Sequence, residues 1–459
     1  MFEALSPNEA PFPFVARPDR VMAVLAAALA TVLSAAPIAA LEGASPDARL
    51  LPGDAVATLA AGPAEPDAEA LLEAGLEFSG ATAGRRASTA EYLRAGMDEA
   101  AALARDTPDA YELGGALLVL AHRRYFKRYV ESATTLDAAV VDGRYNCVSS
   151  SLVYLILCRA AGLEAGGVVT EDHAFCRVAV PDGDGIRFVD VETTNVHGWD
   201  PGTNHEFQDS FGRVTGYSYV PPTALEGREH VGARRMASLV LSNRSNMLER
   251  AGRWAEAVGL AADAWAYCPD ADNRELFIGR VHNNVAALVN ARRWADAVAF
   301  LGRALDVLGN EPRLVDLMAQ ARLALLGDGL AAMPPAEAIE AVRVAWADGV
   351  IDEARRDEFL VYAYSKLADQ VRVAGGWLAA WNALRDGVAA VPGSTRMAAM
   401  AETARRNWTY EVHNRFATLF NARRYAEALA VVEEGLDVLP AETLFLDDAA
   451  AARKALAGG

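Results

Sequence analysis

Residues 143–163 read GRYNCVSSSLVYLILCRAAGL and predict a buried helix with a cysteine in its first turn. Gly143 and Asn146 suit a turn before the helix, and Gly162 suits a C-cap after it. Between the cysteine and that glycine the side chains are largely apolar, apart from three serines and one arginine. The free N–H groups and partial positive charge of a helix N-terminus stabilise a thiolate, which makes Cys147 a candidate nucleophile.

A predicted β-hairpin after this helix supplies two partners for the cysteine. Strands are predicted at residues 168–170, 174–180 and 186–195, with the turn signal PDGDG between the last two. His173 lies where the second strand begins, and Asp190 lies on the third. Adjacent strands are about 5 Å apart, so these two side chains can hydrogen-bond.

A cysteine, a histidine and an acid in this order predict a catalytic triad. His173 would accept the thiol proton, and Asp190 would hold the imidazole in the useful tautomer. Glu192 shares the strand face of Asp190 and is the main rival for the orienting role. The backbone N–H of Cys147 and the side chain of Tyr145 are candidates for stabilising an oxyanion.

These motifs together resemble the transglutaminase-like (papain-like thiol) superfamily. The matching residues are Gly143 to Cys147, Ala161–Gly162–Leu163, Asp172–His173–Ala174–Phe175 and Asp190–Val191–Glu192–Thr193. The family's usual Asp-Pro-Thr strand departs here, since Val191–Glu192 replaces the proline. The resemblance covers roughly residues 90 to 222 and implies a Cys147–His173–Asp190 triad. It also implies a thioester intermediate and a protein or peptide amide as substrate, with hydrolysis and acyl transfer both open.

The remaining cysteines and histidines predict no metal site and no cofactor. Cys158, Cys176 and Cys268 form no CxxC pair and are interpreted as core residues. His197, His205 and His230 are spaced irregularly. The segment from Asn195 to Pro222 is either a packed excursion completing the sheet or a wall of the substrate cleft, supplied by Trp199, His197 and Tyr217.

The C-terminal half is internally repetitive. VHNNVAALVNARRWADAVAFLGRALDVL (281–308) matches VHNRFATLFNARRYAEALAVVEEGLDVL (412–439) at sixteen of 28 positions, and residues 241–269 follow the same template. Gly376–Trp377 is interpreted as the head of a degenerate copy. These segments look like tetratricopeptide repeats, whose stacked helix pairs present a binding face for a protein partner.

The N-terminal residues predict export. VMAVLAAALATVLSAAPIAA (21–40) has no charge, follows Arg17 and Arg20, and fits a signal peptide or a single membrane anchor. The rest of the chain is therefore expected to be periplasmic, or anchored at the inner membrane and facing the periplasm. The Ala- and Pro-rich residues 45–85 are interpreted as a linker with short helical pieces.

The predicted fold class is α+β. A transglutaminase-like domain (86–225), with a Cys-headed central helix on an antiparallel sheet, follows the N-terminal segment (1–44) and the linker, and an all-α repeat array (226–459) follows it. A formal net charge of −18 disfavours nucleic acid as a partner. The leading hypothesis is a thiol enzyme acting on protein or peptide amides. The alternative is an inactive scaffold whose repeats bind a protein.

Overall fold

The computed structural model describes residues 43–171, 173–202, 207 and 227–458. Within these ranges the chain forms two compact units, residues 43–318 and 319–458. The first unit combines helices with a four-stranded sheet, and the second is helical throughout its described residues. The predicted α+β class is confirmed at this level.

The described residues of the first unit form ten helices and six strands. The helices are α1 (Asp54–Ala60), α2 (Ala68–Ser79), α3 (Ala83–Asp106), α4 (Ala110–Arg124), α5 (Leu136–Val140), α6 (Cys147–Ala160), α7 (Ala233–Arg250), α8 (Trp254–Tyr267), α9 (Ala271–Asn290) and α10 (Trp294–Leu308). The strands are β1 (Arg128–Tyr129), β2 (Arg144–Tyr145), β3 (Ala165–Val169), β4 (Ala174–Asp182), β5 (Gly185–Val191) and β6 (Glu229–Val231). The division between the units falls within α11 (Pro312–Ala332).

The second unit is built from helices stacked in sequence. They are α12 (Pro335–Ala347), α13 (Glu353–Ala390), α14 (Thr395–Asn421), α15 (Tyr425–Val438) and α16 (Thr443–Ala457). The core of this unit includes Trp408, which stacks on Trp381 at 5.7 Å and meets Phe445 edge-on. Within α13, Gly376 has φ 70° and ψ −166°, a conformation that essentially only glycine adopts, and it interrupts the helix before Trp377.

The four-stranded sheet has the order β5–β4–β3–β6, and every pair in it is antiparallel. The β4–β5 hairpin closes through two residues, with Asp182 paired to Gly185 and Gly183 at φ 59°. This turn fixes the register farther along, where Cys176 lies opposite Val191. The predicted hairpin is therefore confirmed.

Helix α6 is the centre of the first unit. Its residues from Val148 to Cys158 are all buried. They share one core with β4, β5 and helices that precede and follow α6 in the sequence. It ends where the sequence predicts, because Gly162 has φ 72° and Leu163 N–H bonds back to Cys158 C=O.

The predicted linker at residues 45–85 is wrong. Helix α2 belongs to the core, and Leu71, Leu72 and Phe78 are fully buried there. At Gly75 a Cβ atom would lie 2.8 Å from a methyl carbon of Leu136, so this helix packs against its neighbours at closest range. Composition alone does not predict this core helix, because the Ala and Pro content of the segment is typical of a linker, although one face of the helix is apolar.

The predicted boundary at residue 225 is also displaced. Strand β6 completes the sheet after that residue, and helix α7 packs on α6, with Met236, Val240 and Leu241 buried in the same core. The first two helix pairs of the repetitive region therefore belong to the first unit rather than to a separate array. Met236 is held closely, since a Cβ at Gly167 of β3 would lie 2.3 Å from its side chain.

The internal repeat is confirmed as a repeat of helical hairpins. The turns α7–α8, α9–α10 and α14–α15 share one geometry, in which Gly252, Arg292 and Arg423 have φ of 74°, 57° and 61°. In each turn the next arginine N–H bonds to a carbonyl five residues earlier. Two arginines thus occupy a left-handed position that glycine fills in the first copy.

Residues 43–53 lie across the surface of three repeat helices. The side chain of Asn284 on α9 bonds both N–H and C=O of Ser45, and Arg293, next to α10, donates to Ala44 C=O at 3.0 Å. Arg49 makes an ion pair with the buried Asp263 of α8 at 2.5 Å. This part of the repeat surface is therefore covered by the chain's own residues.

None of the helices within the described ranges is long and apolar enough to cross a membrane. The predicted signal peptide or anchor at residues 21–40 lies outside those ranges.

Candidate active site

Cys147 is the first residue of α6, as the sequence predicts. Asn146 caps the helix: its Oδ1 accepts from the N–H groups of Val148 and Ser149, and its own N–H donates to Ser149 Oγ at 3.0 Å. This capping box fixes the entry into the helix. The cap side chain is held in turn by Glu131 C=O at 2.8 Å. The thiol is partly exposed at a rigid helix N-terminus.

His173 brings the thiol and a carboxylate together. It lines the same cleft as Cys147, and its Nε2 lies 2.8 Å from Oε2 of Glu192. Both partners in the second contact are buried, with the carboxylate fully excluded from solvent. The three side chains therefore form a continuous Cys147–His173–Glu192 arrangement.

Asp190 does not face the imidazole, so the predicted Cys147–His173–Asp190 geometry is wrong. In the hairpin Asp190 lies opposite Arg177, four residues past His173 on the neighbouring strand. It bonds instead to Arg228 through both carboxylate oxygens, at 2.7 and 2.9 Å. This buried ion pair belongs to the sheet, and the acid beside the imidazole is the rival, Glu192.

Thr193 and Thr194, which follow Glu192 in sequence, hold the Glu192 segment in place. Oε1 of Glu192 accepts from Thr194 Oγ1 at 2.7 Å and from Thr194 N–H at 3.3 Å. The hydroxyl of Thr193 bonds those of Ser150 and Ser151, at 2.8 and 3.0 Å. The serines that interrupt the apolar helix thus tie the acid-bearing segment to the cysteine helix. This function of Thr193 and Thr194 was not predicted from the sequence.

Tyr145 supports this segment and does not line the cleft beside the thiol. Its hydroxyl donates to Thr194 C=O at 3.1 Å, and its side chain is buried. Burial, with the nearby charge of Glu192, raises its pKa to about 12. The predicted oxyanion function of this side chain is therefore not supported by its position.

The charge on the histidine is set by opposing effects. Burial lowers the pKa of His173, but the Glu192 carboxylate, its hydrogen bond to the ring and the nearby Cys147 side chain outweigh this and raise the pKa to about 10. The imidazole therefore carries a proton at neutral pH.

The thiol opens into a cleft of about 640 Å³. One side is formed by residues 129–132 after β1 and by residues 169–171 after β3, and the other by helix α7. Cys147 and His173 both line this space. The cleft lies entirely within the first unit.

The other cysteines differ from Cys147 in environment. Cys158 and Cys176 are fully buried, which confirms their interpretation as core residues, and Cys268 is partly buried against the same core. Burial raises the pKa of Cys158 to about 12, and burial together with Asp270 does the same for Cys268. All four cysteines are free thiols.

Where the structure describes it, the segment from Asn195 to Pro222 packs away from the cleft. Trp199 meets Tyr111 edge-on at 5.2 Å and covers Gly114 of α4 so closely that a Cβ there would lie 2.1 Å from the indole. His197 is exposed and does not line the cleft. Tyr217 and His205 lie outside the described residues. Among the residues described, no group of His, Cys, Asp and Glu side chains could hold a metal ion.

No protein-family model and no curated protein matches the chain. The solved structures include a match to menin, in a crystal structure that reveals the binding site for Mixed Lineage Leukemia (MLL) protein. The alignment covers 74% of this chain and 100% of that one, with 15% sequence identity and a TM-score of 0.27. A similarity of this size supports no statement about fold or function.

Proposed function

We propose that the chain is a transglutaminase-like thiol enzyme that acts on protein or peptide amides, with Cys147 as nucleophile, His173 as acid and base, and Glu192 as the orienting acid. The observation that carries the proposal is the buried Glu192–His173 contact in the cleft that the capped, partly exposed thiol of Cys147 also lines. A buried histidine–carboxylate pair also joins His413 to Asp448 at 2.8 Å in the helical array, so the proposal rests on the thiol that shares the cleft with His173.

The first half of the reaction is acyl transfer to sulfur. The thiol proton resides on His173, at Nδ1, because Nε2 is held by Glu192. The thiolate attacks the amide carbonyl carbon, a C–S bond forms, and the carbonyl electron pair moves to oxygen. His173 then gives its proton to the leaving nitrogen as the C–N bond breaks, which releases an amine and leaves a thioester.

The second half regenerates the thiolate. Water or a primary amine attacks the thioester and passes a proton to His173, and the sulfur leaves. Water gives net hydrolysis and an amine gives net amide exchange. Both routes use the same three side chains.

The oxyanion formed in either half needs a donor near the sulfur. The N–H of Cys147 is the first of the helix and has no intrahelical acceptor, and the cap oxygen of Asn146 is used by the next two N–H groups. This backbone donor is thus the one we assign to the oxyanion, with Tyr145 no longer a candidate.

The repeats remain a proposed binding surface for a protein partner. Residues 43–53 cover the shared face of α8, α9 and α10. A partner at that face would have to displace them, so we place the partner elsewhere on the array. An exported location, with residues 21–40 as signal or anchor, also remains a proposal.

The function is tested by labelling with a peptide-amide mimic that carries a thiol-reactive vinyl sulfone. We expect one label on the wild-type protein, at Cys147, and none on Cys147→Ala. Cys268→Ala, which removes the other partly exposed thiol, should be labelled like wild type. Labelling that is slow and unaffected by Cys147→Ala would contradict the enzyme and favour the inactive scaffold.

A further inference from the structure

Helix α7, the first helix of the repetitive region, forms one wall of the thiol cleft. It contributes Leu239, Asn243, Asn246, Met247 and Arg250 to the lining. Asn243 Nδ2 donates to Thr134 Oγ1 at 3.0 Å, which ties this wall to the opposite side. A molecule that reaches the sulfur therefore contacts a repeat helix as well as the residues of the site.

The two sides of the cleft carry opposite charges. Glu131 and Glu171 line the side formed after β1 and β3, and Arg250 lines the α7 side. All three side chains are exposed, and within the described part of the chain none of them makes an ion pair. The neighbouring Glu249, in contrast, is bound by Arg280 at 2.7 Å. The cleft thus has charged side chains without an ion-pair partner on both sides, within the described part of the chain.

We propose that the cleft selects an extended peptide segment with a basic side chain directed at Glu131 and Glu171 and an acidic group directed at Arg250. Met247, which is 44% exposed, and Leu239 offer apolar contact between these charges. Opposite charges in a partly desolvated cleft attract a complementary ligand and disfavour one of uniform charge. The charge pattern itself needs no catalysis. Only the statement that the bound peptide is a substrate rests on the proposed function.

The charge pattern is tested with two thiol reagents of opposite charge, because Cys147 reports on the cleft without turnover. The reagents are 2-aminoethyl and 2-sulfonatoethyl methanethiosulfonate, and the readout is the ratio of their rates at the Cys147 peptide by mass spectrometry. We expect Glu131→Gln with Glu171→Gln to lower the cation-to-anion ratio about three- to tenfold. Arg250→Gln should raise it about two- to fivefold.

The matched controls are Asp316→Asn and Glu337→Gln, two exposed acids that do not line the cleft. Each should change the ratio by less than about 1.5-fold, because neither side chain lines the cleft and salt screens exposed charges. The proposal is overturned if the cleft variants change the ratio no more than these controls, or if Arg250→Gln lowers it.

The substrate class is tested with synthetic glutamine peptides that carry one lysine and one aspartate around the amide, in both orders. At least one order should show a KM about three- to tenfold below that of an uncharged analogue, with similar kcat, and Arg250→Gln should remove the difference. Equal KM for all peptides would overturn the selectivity. If no peptide is turned over while the reagent ratios change as expected, the enzyme proposal fails and the charge pattern stands.

Discussion

Glu192 is the residue on which the candidate site depends most. A carboxylate with no solvent exposure is stable only when its oxygens are bonded, and here His173 holds one oxygen while Thr194 holds the other. The cost of burying the charge is offset by a proton on the histidine. Removing Glu192 therefore takes away the carboxylate that raises the pKa of His173.

The pH dependence of stability reports this pair. The pKa of His173 is raised to about 10 from 6.5, so its contribution to folding is fully present below pH 6.5 and is lost as the pH rises through 10. Glu192→Gln removes the carboxylate that raises the pKa of His173, while burial still lowers it, so this pKa should fall. Between pH 6.5 and 9.5 the variant should lose less unfolding free energy than wild type, by urea denaturation. Equal losses of unfolding free energy in both proteins would mean that the His173–Glu192 pair is not charged. Glu337→Gln is the control, because it removes an exposed carboxylate.

The sequence predicted two of the three site residues in their correct places. Cys147 and His173 follow from local patterns, namely a polar cap before an apolar helix and a histidine at a strand start. The acid depended on register. A two-residue turn at 183–184 places Asp190 opposite Arg177 and leaves Glu192 near the histidine. Predicting which two residues of PDGDG form the turn, and not only that a turn is present, would have identified Glu192 as the acid near His173.

At the scale of elements, α2 is a core helix that the sequence pattern did not predict. Its apolar positions lie between Pro- and Ala-rich stretches that are typical of a linker, and its importance comes from what it covers. The core beneath it is made by α5, α6 and α7, which are distant in sequence. Local composition holds no information about that contact, whereas the hairpin and the helical repeats are local patterns and were predicted.

Two glycines test the packing of α2. Gly75→Ala places a methyl group 2.8 Å from Leu136 and 3.1 Å from Leu152 and should destabilise the protein by about 1 kcal/mol or more. Gly84→Ala, on α3 with nothing within 4 Å, should stabilise it by about 0.5–1 kcal/mol through helix propensity. The measurement is urea denaturation of the full chain. If Gly75→Ala is also stabilising, α2 does not pack as described.

The repeat turns allow a stabilising change. Arg292 and Arg423 hold left-handed φ angles that cost an L residue about 1–2 kcal/mol, while glycine loses about 0.5–1 kcal/mol of flexibility on folding. We expect Arg292→Gly and Arg423→Gly each to stabilise the protein by about 0.5–1 kcal/mol in thermal and urea unfolding. Arg424→Gly, at φ −90°, is the control and should destabilise it. Destabilisation by all three variants would show that no strain is stored in these turns.

At the scale of the molecule, the site and the first repeats are one structure. The predicted domain limits followed changes of sequence pattern, and the repeat pattern does begin near residue 236. A pattern of helical hairpins does not show which surface the first hairpin covers. Here α7 covers the cysteine helix and bounds the cleft, so the boundary of the compact unit lies near residue 318.

Two fragments test this division. The fragment of residues 85–222 lacks α2, β6 and α7. Their removal exposes buried side chains of α6, so this fragment should not unfold cooperatively. Residues 43–318 should show a single cooperative transition by circular dichroism and retain a reactive Cys147. A stable, cooperative 85–222 fragment would restore the smaller domain.

The central claim is that Glu192, rather than Asp190, acts with His173 on the thiol. The most direct test is the rate of Cys147 alkylation by iodoacetamide near pH 7, measured peptide by peptide in four proteins. Wild type and Asp190→Asn should react at similar rates, each at least about tenfold faster at Cys147 than at Cys268. Glu192→Gln should be slower, and His173→Gln slowest. If Asp190→Asn is slower than Glu192→Gln, or if Cys147 in wild type reacts no faster than Cys268, the account is contradicted.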